Sequence, residues 1–288
     1  MAGISVVINT LNEEKNLPNA ISSIKSIASE IVVVDMYSED DTVEIAKKYG
    51  AKVFEHKKTG YVEPARDFAI SKATNDWILI LDADEEVTKS LANKLKEIIK
   101  NPKADYYRLP RKNMIFGKWM KHTRWWPDYN IRFFKKGYVS WSEEIHAVPI
   151  TQGEGADLSA KEESAIIHHN YDSVDKYLER MFRYTKVQSE MLLKNGYVFK
   201  WQDLIEKPLN EFLGRYFVGE GYKDGIHGMA ISLLQGFSEL TIYLRVWEKQ
   251  GFDEREVSKK ELKVEFEKAI KDFKWWLRKK FSFFGRFF

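Results

Sequence analysis

Asp82 and Asp84 close an unbroken apolar run, Trp77-Ile-Leu-Ile-Leu, and Glu85 and Glu86 follow at once. Residues two apart in extended chain face the same way. Two hard oxygen donors facing one cleft suit a divalent cation, Mg2+ or Mn2+. Such an ion commonly takes one or two carboxylates and completes its shell with substrate phosphates and water. A diphosphate-bearing substrate is therefore expected. The same acids also suit a plain strand-to-helix turn that gathers negative charge at a helix N-terminus. Asp-x-Asp by itself does not separate the two readings.

More polar chemistry is concentrated between positions 143 and 170, where Glu143, Glu144, His146, His168 and His169 occur. The run 166–169 reads as a late strand that brings a histidine to the same region. His169 is expected there as an extra metal or phosphate contact, since the chain has no cysteine to offer a thiolate. The stretch 119–128 is rich in Trp, Arg and Pro. Flat aromatic faces beside hydrogen-bonding groups suit sugar rings, which makes Trp125 and Trp126 candidates for acceptor contacts. Ordinary core aromatics would look the same.

Elements must carry these groups to one place. Apolar runs at 4–8, 31–34, 51–54 and 77–81 alternate with helical patterns, among them Leu17, Ala20, Ile21, Ile24 and Ala28 on one face. An apolar run without alternation suits a strand covered on both faces, and the spacings allow right-handed crossovers. The expected fold is α/β, a mostly parallel sheet flanked by helices. Thr10, Asp35, Asp82 and Asp84 then line up at the carboxyl ends of the strands, where such sheets bind ligands. Asn12 is placed to cap the first helix. No Gly-x-Gly-x-x-Gly follows the first strand, which argues against a dinucleotide-binding domain. The loop 9–14 is not rich in Gly, Lys or Arg either, unlike that of a nucleotidyltransferase.

Two parts are expected: a catalytic domain over 1–170 and a helical extension over 171–288. In the second, 208–228 reads as a bent connection, and 226–247 has apolar residues at helical spacing. The end of the chain, about 260–288, is basic and aromatic. Phe266, Ile270, Phe273, Trp276, Leu277 and Phe281 share one helical face, and Lys268, Lys271, Lys274, Arg278 and Lys279 crowd the rest. A basic helix with such a face suits an anionic membrane surface, although docking on the protein's own core would also bury it.

The bulk composition narrows the class. The chain has 288 residues, 44% hydrophobic, with a net charge of +3, so a nucleic-acid partner is not expected. With no cysteine, disulfides and thiolate metal sites are excluded. No apolar stretch reaches the length of a transmembrane helix, and no signal peptide is read at the start. The expected location is cytoplasmic, peripheral on the inner face of the cell membrane.

The blocks Ile4-Ser-Val-Val-Ile-Asn-Thr-Leu-Asn-Glu-Glu, Ile31-Val-Val-Val-Asp-Met-Tyr-Ser-Glu-Asp-Asp-Thr and Trp77-Ile-Leu-Ile-Leu-Asp-Ala-Asp-Glu, in this order, resemble the family 2 glycosyltransferases of GT-A fold. The chain is similar in particular to the subgroup of lipopolysaccharide-core β-glucosyltransferases. Trp126-Pro-Asp-Tyr-Asn-Ile-Arg132-Phe, the His168-His169 segment and Asp224-Gly225 extend the likeness more loosely.

The resemblance implies an inverting, metal-dependent transfer of a sugar from a nucleotide-diphosphate donor to a lipid-linked or envelope glycan acceptor. By position, Thr10, Asn12 and Glu13 would hold the nucleoside and Asp35 the base, and Arg66 would approach the diphosphate. Asp82 would touch ribose or donor sugar or join the metal, and Asp84 would bind the metal. Asp128, Arg132 and His146 join the two tryptophans on the acceptor side. Inversion needs a base opposite the leaving group. Relatives carry a His-Glu pair where this chain has His146-Ala147, so Glu144 and its neighbour Glu143 become the candidates. Arg66 is followed by Asp67 where relatives often have Asn. A chain that bound nucleotide sugar but lacked the base would instead be a non-catalytic subunit of a membrane assembly.

Overall fold

The computed structural model describes residues 3–57, 63–141 and 149–280. Contacts divide the chain into two compact units, Met1–Met114 with Pro127–Asn170, and Ile115–Trp126 with Tyr171–Phe288. The segment 115–126 therefore belongs with the C-terminal helices, although in sequence it lies inside the expected first domain.

The first unit runs β1 (Ile4–Thr10), α1 (Leu17–Ile24), β2 (Glu30–Asp35), α2 (Thr42–Lys48), β3 (Lys52–Glu55), α3 (Glu63–Lys72), β4 (Trp77–Ile80), β5 (Glu85–Val87) and α4 (Lys89–Lys100). β6 (Tyr106–Ile115) leads out to β7 (Lys118–Trp119) in the other unit. The first unit resumes with β8 (Asp128–Lys135), β9 (Val139–Ser140), β10 (Ile150–Thr151), β11 (Gly155–Asp157) and β12 (Ile166–Tyr171). The main sheet has the order β3-β2-β1-β4-β8-β6-β12-β5. The first four strands in that order are parallel, with β1 paired to both β2 and β4. Beyond β4 the sheet turns antiparallel through β8 and β6. The fold is thus a mixed sheet, parallel in its N-terminal part.

Burial explains the apolar runs. Val6, Ile8, Val33 and Leu79 face Leu17, Ile21 and Ile24 of α1, while Val7, Val32, Val34, Ile78 and Ile80 face Ala69, Ile70 and Ala73. Each strand is covered on both sides, so alternation disappears. At the opposite end of β2, Glu30 is clasped by Ser5 Oγ (2.6 Å), Thr74 N (2.8 Å) and Lys52 Nζ (2.7 Å). Burial by itself would raise its pKa, but these donors together hold it down at about 2.

Asn12 does not cap α1. Its Oδ1 accepts from Glu39 N (2.8 Å), its own N–H donates to Ser38 Oγ (2.8 Å), and the helix starts at Leu17 with Pro18 in its first turn. A proline there lacks only an N–H that would have had no partner in the helix.

The second unit holds α5 (Val174–Lys194), α6 (Asp203–Leu213), α7 (Gly225–Lys249) and α8 (Lys259–Lys280). Ser173 caps α5 by accepting from Lys176 N (3.2 Å). The bent connection expected over 208–228 is instead the body of α6, with Pro208 inside it, followed by a π-helical turn Gly214–Val218 and a 3-10 turn Gly221–Asp224. The chain bends only after Leu213. A Cβ on Gly228 would stand 1.8 Å from Gly221 O, so only glycine lets α7 begin beneath this turn. The segment 115–126 is tied to the helices by Asp224, which accepts from His122 N (2.8 Å) and bonds His122 Nδ1 (2.9 Å).

Candidate active site

Register places the expected residues on one edge. Thr10 pairs with Asp35 across β1 and β2, and Val7 pairs with Ile80 two residues before Asp82. The side chains then diverge. Asp35 is buried, and its carboxylate accepts from Thr10 Oγ1 (2.9 Å), Ser38 Oγ (2.6 Å) and Ser38 N (2.8 Å). Glu13 accepts from Asn16 Nδ2 (2.8 Å), and its backbone N–H donates to Thr42 Oγ1 (2.8 Å). These contacts clasp the loop after β1 to the loop after β2.

Asp82 and Asp84 do not face the same way. The chain turns between β4 and β5, with Glu85 N donating to Asp82 O (2.9 Å), so the rule for extended chain does not apply. Asp82 accepts from Arg66 Nη2 (3.0 Å) and from Arg132 Nη2. Arg132 Nη2 also donates to Glu85 Oε1 (2.7 Å), and Glu85 Oε2 accepts from Asp82 N (3.0 Å). Arg111 stands 3.6 Å from Glu85 and bonds Asp128 through Nη2 (2.6 Å) and Nε (2.9 Å). Three arginines thus face three carboxylates. Burial by itself would raise the pKa of Asp82, but Arg132, Arg66 and Arg111 outweigh it and hold the carboxyl well below the usual range. Burial would lower Arg132, and Asp82 and Glu85 outweigh it to keep the guanidinium charged.

Two residues expected on the acceptor side have other work. Arg132 is only 2% exposed and bridges Asp82 to Glu85, so it positions the edge rather than meeting an acceptor. Asp128 is engaged by Arg111, by Asn113 Nδ2 (3.0 Å) and by Asn130 Nδ2 (3.1 Å). Glu85, fully buried, is a member of this charged edge that the spacing of the acids did not single out. Its only signal was its place in the acidic run.

The Asp84 side chain meets the ring of His168, whereas His169 reaches Asp84 only through its backbone N–H, which donates to Asp84 O (2.9 Å). β12 alternates, so His168 is buried with Nε2 3.5 Å from Asp84 Oδ2, while His169 is exposed and bonds Glu86 Oε1 (2.9 Å). Asn113 decides the tautomer. Its Nδ2 donates to the Asp128 carboxylate, so its Oδ1 must be the atom 2.7 Å from His168 Nδ1. Nδ1 therefore carries a proton, which leaves Nε2 as the ring atom that faces Asp84. Two lone-pair donors at this separation attract only through a proton or a cation.

A divalent cation fits that pair. Among the described residues, no group of three or more His, Asp or Glu forms a ligand cluster. A two-donor site suits an ion that takes its other ligands from phosphate and water. Asn113 supplies the outer hydrogen bond that metal-binding histidines usually have.

Asp67 Oδ1 accepts from Trp141 N (2.9 Å), and Arg66 lies over the Trp141 ring (5.7 Å). The adjacent segment 142–148, with Glu143, Glu144 and His146, lies outside the described residues. In the second unit, Trp125 is partly buried and packs against the cluster of Ile115, Met120, Tyr177, Met181 and Ile231. Trp126 meets Trp119 edge to face at 5.1 Å, and both remain partly exposed.

An open α/β sheet binds its ligands outside the carboxyl ends of its parallel strands, which is where this polar edge lies. The sequence matches the profile described as Glycosyl transferase family 2 over residues 5–151. It is 30% identical over 247 residues to an uncharacterized glycosyltransferase of Rickettsia typhi, covering 83% of this chain and 84% of that one. It is 24% identical to the lipopolysaccharide core biosynthesis glycosyltransferase LpsC of Rhizobium meliloti, over 78% of this chain and 84% of that one. A crystal structure of S. aureus TarS superposes with a TM-score of 0.45 at 16% identity, covering 89% of this chain and 94% of that one. The chain belongs to glycosyltransferase family 2, with the GT-A fold, and is an enzyme that uses a nucleotide-sugar donor. Among the described residues, no helix is long and apolar enough to cross a membrane.

Proposed function

We propose that the chain is an inverting, metal-dependent glycosyltransferase. It moves a sugar from a nucleotide-diphosphate donor to a lipid-linked or envelope glycan acceptor at the cytoplasmic face of a membrane. The observation that carries this reading is the pair Asp84 and His168, whose donor atoms stand 3.5 Å apart at the sheet edge. Mg2+ or Mn2+ held there would offset the charge that builds on the departing diphosphate. Asp84 and His168 hold the ion, and Asn113 keeps His168 aimed. Asp82, kept ionised by its arginines, accepts hydroxyls of the ribose or donor sugar, and Arg66 faces the diphosphate. Thr10, Asn12, Glu13 and Asp35 frame the nucleoside. Glu144, or its neighbour Glu143, takes the proton of the acceptor hydroxyl on the far face of the sugar, which is what inversion requires. The acceptor class is taken from LpsC, which is named for lipopolysaccharide core synthesis.

Thermal shift with nucleoside diphosphates tests the donor site, because a ligand that binds the native state raises its melting temperature. Nucleotide should stabilise the protein more with Mn2+ than without it. Asp84→Ala should erase that difference and reduce sugar transfer at least 100-fold, on the scale of about 2.7 kcal/mol for losing one transition-state charge contact. Equal shifts with and without Mn2+, or full activity in Asp84→Ala, would refute the reading.

A further inference from the structure

α8 is docked on its own unit by one side only. Phe217 stacks on Trp276 (ring centroids 6.0 Å apart) and meets Phe273 edge to face (6.1 Å). Lys268 pairs with Glu206 of α6, and Glu265 is buried. These contacts settle which face is held, and they correct the sequence-based picture of one continuous membrane face. Trp276 is partly buried and stacked on Phe217.

What remains outside is a second, narrower strip. Leu262, Phe266 and Ile270 follow one another at helical spacing and are all exposed, Phe266 by 53% and Ile270 by 52%. Between this strip and α6 opens a cavity of about 340 Å3, lined by Leu209, Ala269, Ile270, Phe273, Lys274 and Leu277. Apart from Lys274, every lining residue is apolar. Lys263, Lys271 and Arg278 are exposed on the same helix, Lys274 lines the cavity itself, and Glu267 stands 3.8 Å from Lys263. Trp275 is exposed as well and carries Lys279 over its ring at 4.5 Å.

An apolar strip bordered by cations needs a partner that is apolar in depth and anionic at its surface. A second copy of the chain would bring like charges together along the border, which costs free energy. A bilayer with anionic headgroups meets both demands. Its acyl region takes the phenylalanine and isoleucine, and its phosphates meet the lysines, whose stems can reach up from the interface.

We propose that the face of α8 formed by Leu262, Phe266 and Ile270, with Lys271 and Lys274 at its border, is a docking surface for an anionic phospholipid bilayer. It deepens the reading of a membrane-face acceptor but does not depend on catalysis. In this arrangement α8 lies along the interface, and the apolar cavity beside Ile270 receives part of an acyl chain.

The test is flotation of the full chain with vesicles of equal parts phosphatidylglycerol and phosphatidylcholine, against phosphatidylcholine alone. The wild type should float with the mixed vesicles and poorly with the neutral ones. Lys271→Gln with Lys274→Gln should lower partitioning about 25-fold, from about 5-fold per cation near an anionic surface. Phe266→Ser with Ile270→Ser should lower it at least as much. All four side chains are exposed, so circular dichroism and melting temperature should stay unchanged. Both double variants floating like the wild type would overturn the proposal. So would a wild-type dimer that Phe266→Ser/Ile270→Ser turns into a monomer with no loss of flotation. The Mn2+-dependent thermal shift with nucleotide should be the same in every variant, so a failure of this surface is separable from a failure of the donor-site reading.

Discussion

Replacing Arg132 by methionine tests whether the charged edge works as one unit. Arg132 is 2% exposed, and Glu85, one of its two partners, is 0% exposed. Methionine fills similar volume without charge. The substitution leaves Glu85 with Arg111 at 3.6 Å and with the Asp82 N–H, and leaves Asp82 with Arg66. Removing one partner of a buried pair typically costs about 3–5 kcal/mol, because the other charge is stranded. A partial offset works the other way. Arg132 Nε and Nη1 have no hydrogen-bond partner among the described residues, so methionine relieves part of this cost. The low end, about 3 kcal/mol, is therefore expected. At about 2–4 °C per kcal/mol for a unit of this size, the melting temperature should fall by roughly 10 °C.

The second variant makes the argument falsifiable. Glu85→Gln in the Arg132→Met background removes the stranded charge but keeps an acceptor for Asp82 N. It should recover about half the loss, whereas Glu85→Gln by itself should destabilise. Urea unfolding of the four proteins gives the coupling directly. Arg132→Met should also expose the titration of Asp82. Its folded pKa is depressed, so in the wild type it stays ionised throughout any practical assay range. Without the nearest guanidinium the pKa rises toward the ordinary value, and activity should develop an acid limb as pH falls. A loss under about 1 kcal/mol, with no recovery in the double variant, would refute the idea of a coupled edge.

Glu30→Gln should destabilise by about 3 kcal/mol at neutral pH, from a shift of 4.5 to about 2 in the folded state at roughly 1.4 kcal/mol per unit. The folded pKa is depressed, so this stability is fully present above pH 4.5 and is lost as pH falls toward 2. Wild type and variant should converge there in denaturant titrations. Asn113→Leu should release the tautomer of His168 and weaken Mn2+ binding about 10- to 100-fold, read by the electron paramagnetic resonance of bound and free Mn2+. An unchanged affinity would show that Asn113 does not aim the ring.

The parts of the fold that were legible are those where local pattern and final environment agree. The runs 4–8, 31–34 and 77–81 lack alternation, and the strands they form are covered by helices on both faces. The tail was legible in composition but not in orientation. Nothing in the spacing of Phe273 and Trp276 distinguishes them from Phe266 and Ile270. The difference is Phe217, far away in sequence on the π-helical turn, which claims the first pair. Pro208 was misleading for a similar reason. A proline reads as a helix end, yet α6 continues past it because tertiary packing against α7 outweighs one missing backbone bond.

The site shows the sharper limit. Asp-x-Asp suggested two carboxylates on one ion because it was read as extended chain, but the chain turns at that point. The turn follows from residues outside the motif, two of them distant in sequence and one its immediate neighbour. Arg132 on β8 and Arg66 on α3 draw Asp82 to one side, and buried Glu85 holds the turn through the Asp82 N–H. Asp84 is left facing β12, where strand alternation and not histidine chemistry selects His168 over His169. Apart from Glu85, these partners lie between 16 and 86 positions from Asp82, and none is marked by spacing. Short-range patterns therefore identify the edge and its acids, while the division of labour among the acids is set by the arginines that the antiparallel half of the sheet brings back to them.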